Sequence, residues 1–120
     1  MKYAILCFTP EELSGASWTP GQDRQVIDRL ERACEAFEGR VTQAARLQPA
    51  TSAVSVRNNR TDTAVVDGQF IESKEHLIGF YLVDCASLDV AVDFAKSLLA
   101  ANSRGSGYEI RPIRSLRHEE

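Results

Sequence analysis

A ferredoxin-like α+β sandwich with an inserted β-hairpin is the fold class this sequence predicts. Three observations lead to it. Apolar segments and turn residues give the order strand, helix, strand, hairpin, strand, helix, strand, which is two βαβ units with a hairpin between them. Two segments carry apolar residues at the 3.6-residue period of helices lying on a sheet. Two strands, at residues 2–8 and 77–84, are apolar on both faces and belong at the sheet centre.

The elements follow in order. In residues 2–8, Tyr3, Ile5 and Cys7 fall on one face and Ala4, Leu6 and Phe8 on the other. Residues 10–17 form a loop, with a turn of helix expected at 11–13. Thr19-Pro20-Gly21-Gln22 starts the first helix: Thr19 caps, Pro20 fits the first helical position and Gln22 completes a capping box. Val26, Ile27, Leu30, Ala33, Cys34 and Phe37 form its apolar stripe, and Gly39 stops it. Residues 40–47 are a second strand, bounded by Pro49. Residues 52–57 and 61–66 pair as a hairpin around Asn58-Asn59, since asparagine accepts the left-handed backbone of a short turn. Strand 77–84 follows, then Ser87 as the cap of a second helix striped by Leu88, Ala91, Val92, Ala95, Leu98 and Leu99. Residues 102–107 break that helix and 108–113 form the last strand. Residues 1–114 read as a single domain and 115–120 as a polar tail.

Both helices of such a fold pack on one sheet face. The two central strands are apolar on the other face as well, and that face needs cover. The hairpin is expected to cover part of it and a second subunit the rest, in a homodimer whose sheets face each other.

Composition narrows the function classes. A chain of 120 residues with 43% hydrophobic and 26% charged content buries a core without staples. A net charge of −3 gives no case for direct nucleic-acid binding, although Arg104, Arg111, Arg114 and Arg117 gather near the C-terminus. No apolar run reaches membrane-span length and no signal peptide is visible, so a cytoplasmic protein with no membrane partner is expected. Cys7, Cys34 and Cys85 are an odd set with no CxxC pair, and are read as free core thiols. Cys7 and Cys85 end neighbouring antiparallel strands, at opposite ends of the sheet and beyond bridging distance. His76 and His118 lack metal-ligand spacing, and Gly105 and Gly107 follow a helix where a phosphate-cradling loop precedes one. No metal or other cofactor is implied.

Residues 65–84, VVDGQFIESKEHLIGFYLVD, join the Asp67-Gly68 turn, a charged cluster and the most apolar strand. This stretch resembles the signature of the DGPF-type branch of the YciI-like (YCII-related) family, of the form DGPF–ETKE–GGFYLI. MKYAILC resembles the opening strand of that family, RLQPATSAVSVR its middle strands, DCASLDVAVDFA the start of its second helix and YEIRPI its closing strand. The resemblance spans nearly the whole chain. It implies a dimeric α+β barrel and a bacterial source. For many DGPF-type proteins it also implies a link to extracytoplasmic-function sigma factors. Two positions depart from the signature: Gln69 replaces its proline, and Ile78 its first glycine while Gly79 keeps the second. Other branches use a His–Asp pair near the first helix. This chain has Asp23 and Asp28 there and no histidine, so that dyad does not carry over.

Candidate site residues come from the same stretch. Asp67 is either a general base at the rim of a barrel cleft or an acid that closes its turn through backbone NH groups. Glu72, Lys74 and Glu75 match the charged segment. Lys74 between two carboxylates can hold an anionic oxygen of a small substrate or serve in surface ion pairs. His76 beside them reads as exposed or partner-facing. Gly79 leaves room beside Tyr81, so a small pocket bordered by Tyr81 is expected, with Phe80 in the core on the other face. Arg111 is either an anion clamp facing that pocket or an edge-strand charge. Two function classes follow. One is a small-molecule-binding protein, with acid/base chemistry on a small anionic substrate in a dimer cleft. The other is a non-catalytic regulatory module tied to a sigma factor. The residues leave open whether the chain is an enzyme.

Overall fold

The computed structural model describes residues 1–11, 20–58, 60–102 and 107–117. The Thr19 cap, residues 12 and 13 of the expected helical turn, Asn59, Arg104, Gly105 and His118 lie outside the described residues.

Six strands and two α-helices are present: β1 (Lys2–Pro10), α1 (Pro20–Ala36), β2 (Arg40–Arg46), β3 (Val54–Asn58), β4 (Thr63–Asp67), β5 (Glu75–Asp84), α2 (Leu88–Ala101) and β6 (Gly107–Pro112). The main sheet has the order β2-β5-β1-β6 with every neighbouring pair antiparallel. Strand order and helix placement are consistent with a ferredoxin-like α+β fold. β3 and β4 form a separate two-stranded antiparallel sheet.

Register assigns each side chain to a face. Tyr3 pairs with Val83 and Ile5 with Tyr81 on β5, while Ile5 also pairs with Ile110 on β6. These residues lie on the helix side, where Tyr3, Ile5, Val83, Phe94 and Leu98 form the core. The Phe37 ring stacks on Phe94 with centroids 4.1 Å apart, and Tyr81 meets Phe94 edge-on at 5.8 Å. α2 starts as its sequence specifies, with the Ser87 Oγ accepting from the Val90 NH at 3.4 Å. It buries Ala91, Phe94, Ala95 and Leu98. α1 buries no residue fully along its 17-residue length, so it rests on the sheet far more lightly.

The opposite face is open. Ala4, Leu6 and Phe8 alternate onto it, paired with Leu82, Phe80 and Leu77. Ala4, Leu6, Phe8, Phe80 and Leu82 are only half-buried. Phe80, expected in the core, is therefore a surface-facing residue of a single chain, because both helices lie on the other side.

The β3–β4 unit does not supply the missing cover. It joins the body through the 3₁₀ turn at Ala50–Ser52 and makes little contact with the main sheet. Val54, Val56 and Val65 share one of its faces and are 61%, 63% and 69% exposed. Its connection also differs from the two-residue turn expected at Asn58-Asn59. Asn58 pairs with Thr63, so the connection runs through residues 59–62, and Arg60 takes the left-handed backbone (φ 64°).

Candidate functional site

The signature stretch is held by short polar contacts. Gly68 has φ 109°, a backbone that glycine alone adopts easily. Its NH donates to the Ala53 carbonyl at 2.8 Å and its own carbonyl accepts from the buried Ser55 hydroxyl at 2.6 Å. Arg57 donates to the Phe70 carbonyl and lies over the Phe70 ring, 4.2 Å from its centroid. Gln69 donates its amide to the Ser73 carbonyl at 3.2 Å. The turn keeps its shape through the backbone of Gly68 and these side chains.

Asp67 ends β4 opposite Val54 and is exposed. Glu72, Lys74 and Glu75 are exposed too. The structure does bring Lys74 and Glu72 together with Glu11, Gln69, Ser73 and His76, around an open polar cleft of about 450 Å³. The Glu11 NH donates to the Lys74 carbonyl at 2.6 Å and ties the cleft to the end of β1. His76 is half-buried there, and its Nδ1 is buried without a hydrogen-bond partner. Asp67 does not line this cleft.

Tyr81 lies elsewhere. It borders a mostly apolar cavity of about 250 Å³ between α1 and β2. Ile27, Leu30, Glu31 and Cys34 line it from the helix, and Ala44, Ala45 and Arg46 from the strand. Ala44, paired with Tyr81, is the small residue that faces this lightly packed helix, while Ala45, paired with Phe80, turns its methyl to the open face. Burial pushes the Tyr81 hydroxyl up to about 12, with smaller contributions from nearby Cys34 and Cys7, and Arg46 opposes the rise. Burial likewise raises the Cys34 thiol, helped by Glu31 and Glu35, so Cys34 stays protonated and a poor nucleophile. Cys7 is also raised by burial and shares a side-chain hydrogen bond with Tyr108. All three cysteines are free.

At the cavity rim Arg46 Nη2 donates to Asp23 Oδ1 at 2.8 Å, and Nη1 donates to Oδ2 at 3.4 Å. That hydrogen bond holds the Asp23 carboxyl below its usual range and raises the Arg46 guanidinium. The pair ties the first turn of α1 to the end of β2.

Two sequence expectations change here. Gly79 does not open space beside Tyr81: a Cβ on it would sit 2.6 Å from the Ala45 carbonyl oxygen, so its missing side chain lets β2 approach. Arg111 does not face the Tyr81 pocket. Ile110 shares a face with Ile5 and Tyr81, which turns Arg111 to the open face, where it pairs with Glu109 at 3.1 Å. The cation at the cavity is Arg46, which sequence reasoning passed over along with Asp23. An acid in a first helical turn reads by default as a dipole partner. The available signal was Ala44 and Arg46, a small residue and a cation on one face of an otherwise weakly patterned strand.

The match to known proteins decides the family. Residues 1–117 match the YCII-related domain model. The chain belongs to the YCII-related domain family. Within it, the chain is similar to the uncharacterized protein R00369 of Rhizobium meliloti (strain 1021), 43% identical over 115 residues that cover 94% of this chain and 92% of the relative. Among the described residues of this YCII-related chain, no group of acidic, histidine or cysteine side chains is placed to hold a metal ion, and no helix is long and apolar enough to cross a membrane.

Proposed function

We propose that this YCII-related protein, of the DGPF-type branch, is a homodimer that binds a small organic molecule in the cavity between α1 and β2. The observation that carries the binding reading is the cavity itself. About 250 Å³ lies beneath a helix with no fully buried residue, with Tyr81 and Arg46 among its walls. An open apolar groove of that size leaves its lining short of packing partners unless something fills it. Binding without catalysis is the reading favoured, because Asp67 lies on the β3–β4 unit away from Tyr81, and His76 lines the other cleft.

The homodimer reading rests on the half-buried apolar face of β1 and β5. In the dimer, Leu6 and Phe80 of one protomer face those of its partner.

Amide chemical-shift mapping with a panel of small organic molecules tests the binding site. Binders move the amides of Leu30, Cys34, Ala44 and Tyr81 together. If every binder in the panel moves only the Lys74–His76 cleft, the cavity is a packing defect and the reading is wrong.

A further inference from the structure

We infer that the ligand of the α1–β2 cavity is a small monocarboxylate with an apolar body, whose carboxylate takes Arg46 from Asp23. The inference rests on the cavity-binding reading above and adds the chemistry of the occupant. Ile27, Leu30, Cys34 and Ala44 line an open, mostly apolar groove of about 250 Å³ for the body. Engineered apolar cavities somewhat smaller, about 150 Å³, accept benzene, so a body of one ring or a short chain fits.

Arg46 supplies the head-group recognition. Arg46 lines the cavity, and its guanidinium already grips one carboxylate at the rim through both terminal nitrogens. The geometry is therefore set for a two-oxygen anion. The present partner is easily displaced, because the Arg46 and Asp23 side chains are 63% and 39% exposed, and exposed pairs hold weakly. Glu31 also lines the cavity and repels an anion. A ligand with one charge, placed at the Arg46 rim, suffers this least. Exchange has a structural consequence: once Arg46 turns to the ligand, Asp23 is released and the first turn of α1 loses its tie to β2.

Benzoate and benzyl alcohol, similar in shape and different in charge, test the inference on the full-length protein by titration calorimetry with amide shift mapping. Benzoate binds in the cavity at least tenfold more tightly than benzyl alcohol. Arg46→Met weakens benzoate about tenfold or more and leaves benzyl alcohol within about twofold. Asp23→Asn removes the competitor, so it tightens benzoate roughly two- to fivefold. That gain separates exchange from a merely structural role for the pair, which predicts weaker binding when Asp23 is lost. If both probes bind equally and neither variant discriminates between them, the cavity reading stands and the carboxylate inference falls. If neither probe moves the cavity amides, both fall.

Discussion

Phe94 is where α2, α1 and the main sheet meet, and its truncation is the sharpest test of the packing. The ring is 3% exposed. It stacks on Phe37 at 4.1 Å with an interplanar angle of 13°, and receives the edge of Tyr81 at 5.8 Å and 79°. Phe94→Ala removes the ring from a site whose ring neighbours, Phe37 just past α1 and Tyr81 on β5, belong to separate parts of the fold, so collapse around the gap is limited. The cost is about 3–5 kcal/mol, of which the two ring pairs supply about 0.5–1.5 kcal/mol each. Phe94→Leu keeps most of the volume and loses chiefly the ring pairs, for about 1–2 kcal/mol. At this chain length the alanine change lowers Tm by roughly 12–20 °C. Urea unfolding followed by circular dichroism at one fixed protein concentration measures both variants, with the concentration held because the proposed dimer would link stability to it. An unchanged slope with a lower midpoint is expected. A cost below about 1 kcal/mol for Phe94→Ala, or equal costs for alanine and leucine, would refute the three-way packing.

Further outcomes follow from single contacts. Gly79→Ala places a Cβ 2.6 Å from the Ala45 carbonyl oxygen and destabilises by about 1–3 kcal/mol. Gly21→Ala in α1, where an added Cβ meets nothing within 4 Å, is neutral or stabilising by up to about 1 kcal/mol; the same denaturant titration compares the two. Ser87→Ala removes the side-chain cap of α2 and costs about 1 kcal/mol. Tyr81 holds its proton more tightly folded, at about 12, than unfolded, near 10. Its contribution is complete below the unfolded value and is lost as pH climbs between the two, so Tyr81→Phe flattens the alkaline limb of the stability profile. Asp23 has the opposite sign. Its folded carboxyl lies below its unfolded value, so its contribution is present above that value and is lost as pH falls through the folded one. Asp23→Asn removes that part of the acid limb.

The fold was legible because its elements declare themselves locally. Of the expected α2 stripe, Ala91, Ala95 and Leu98 bury as the period requires, while Leu88 and Leu99 stay exposed and Phe94, outside the expected stripe, joins the core. The double-sided β1 and β5 take the two central positions. The Gly68 turn has the backbone that its glycine implies. The failures are those of facing and spacing, which local pattern does not fix. Arg111 changes face because alternation counts from a partner register that sequence does not show. Gly79 reads equally well as a gap or as a close approach until β2 is in place. Arg46 and Asp23 are 23 residues apart, and only the crossover from α1 to β2 brings them together. The charged signature residues Asp67, Glu72, Lys74 and Glu75 were easy to single out by type, yet the fold leaves all four exposed and sets Tyr81 in a different cavity.

Two faces of one sheet, one covered by helices and one half-open, are the basis of the proposed homodimer. Sedimentation equilibrium at micromolar concentration measures it directly. The account predicts twice the 13.3 kDa chain mass, falling to the single mass when Phe80→Glu puts a charge on the open face. A wild-type protein that sediments as a 13.3 kDa monomer across that range would contradict it.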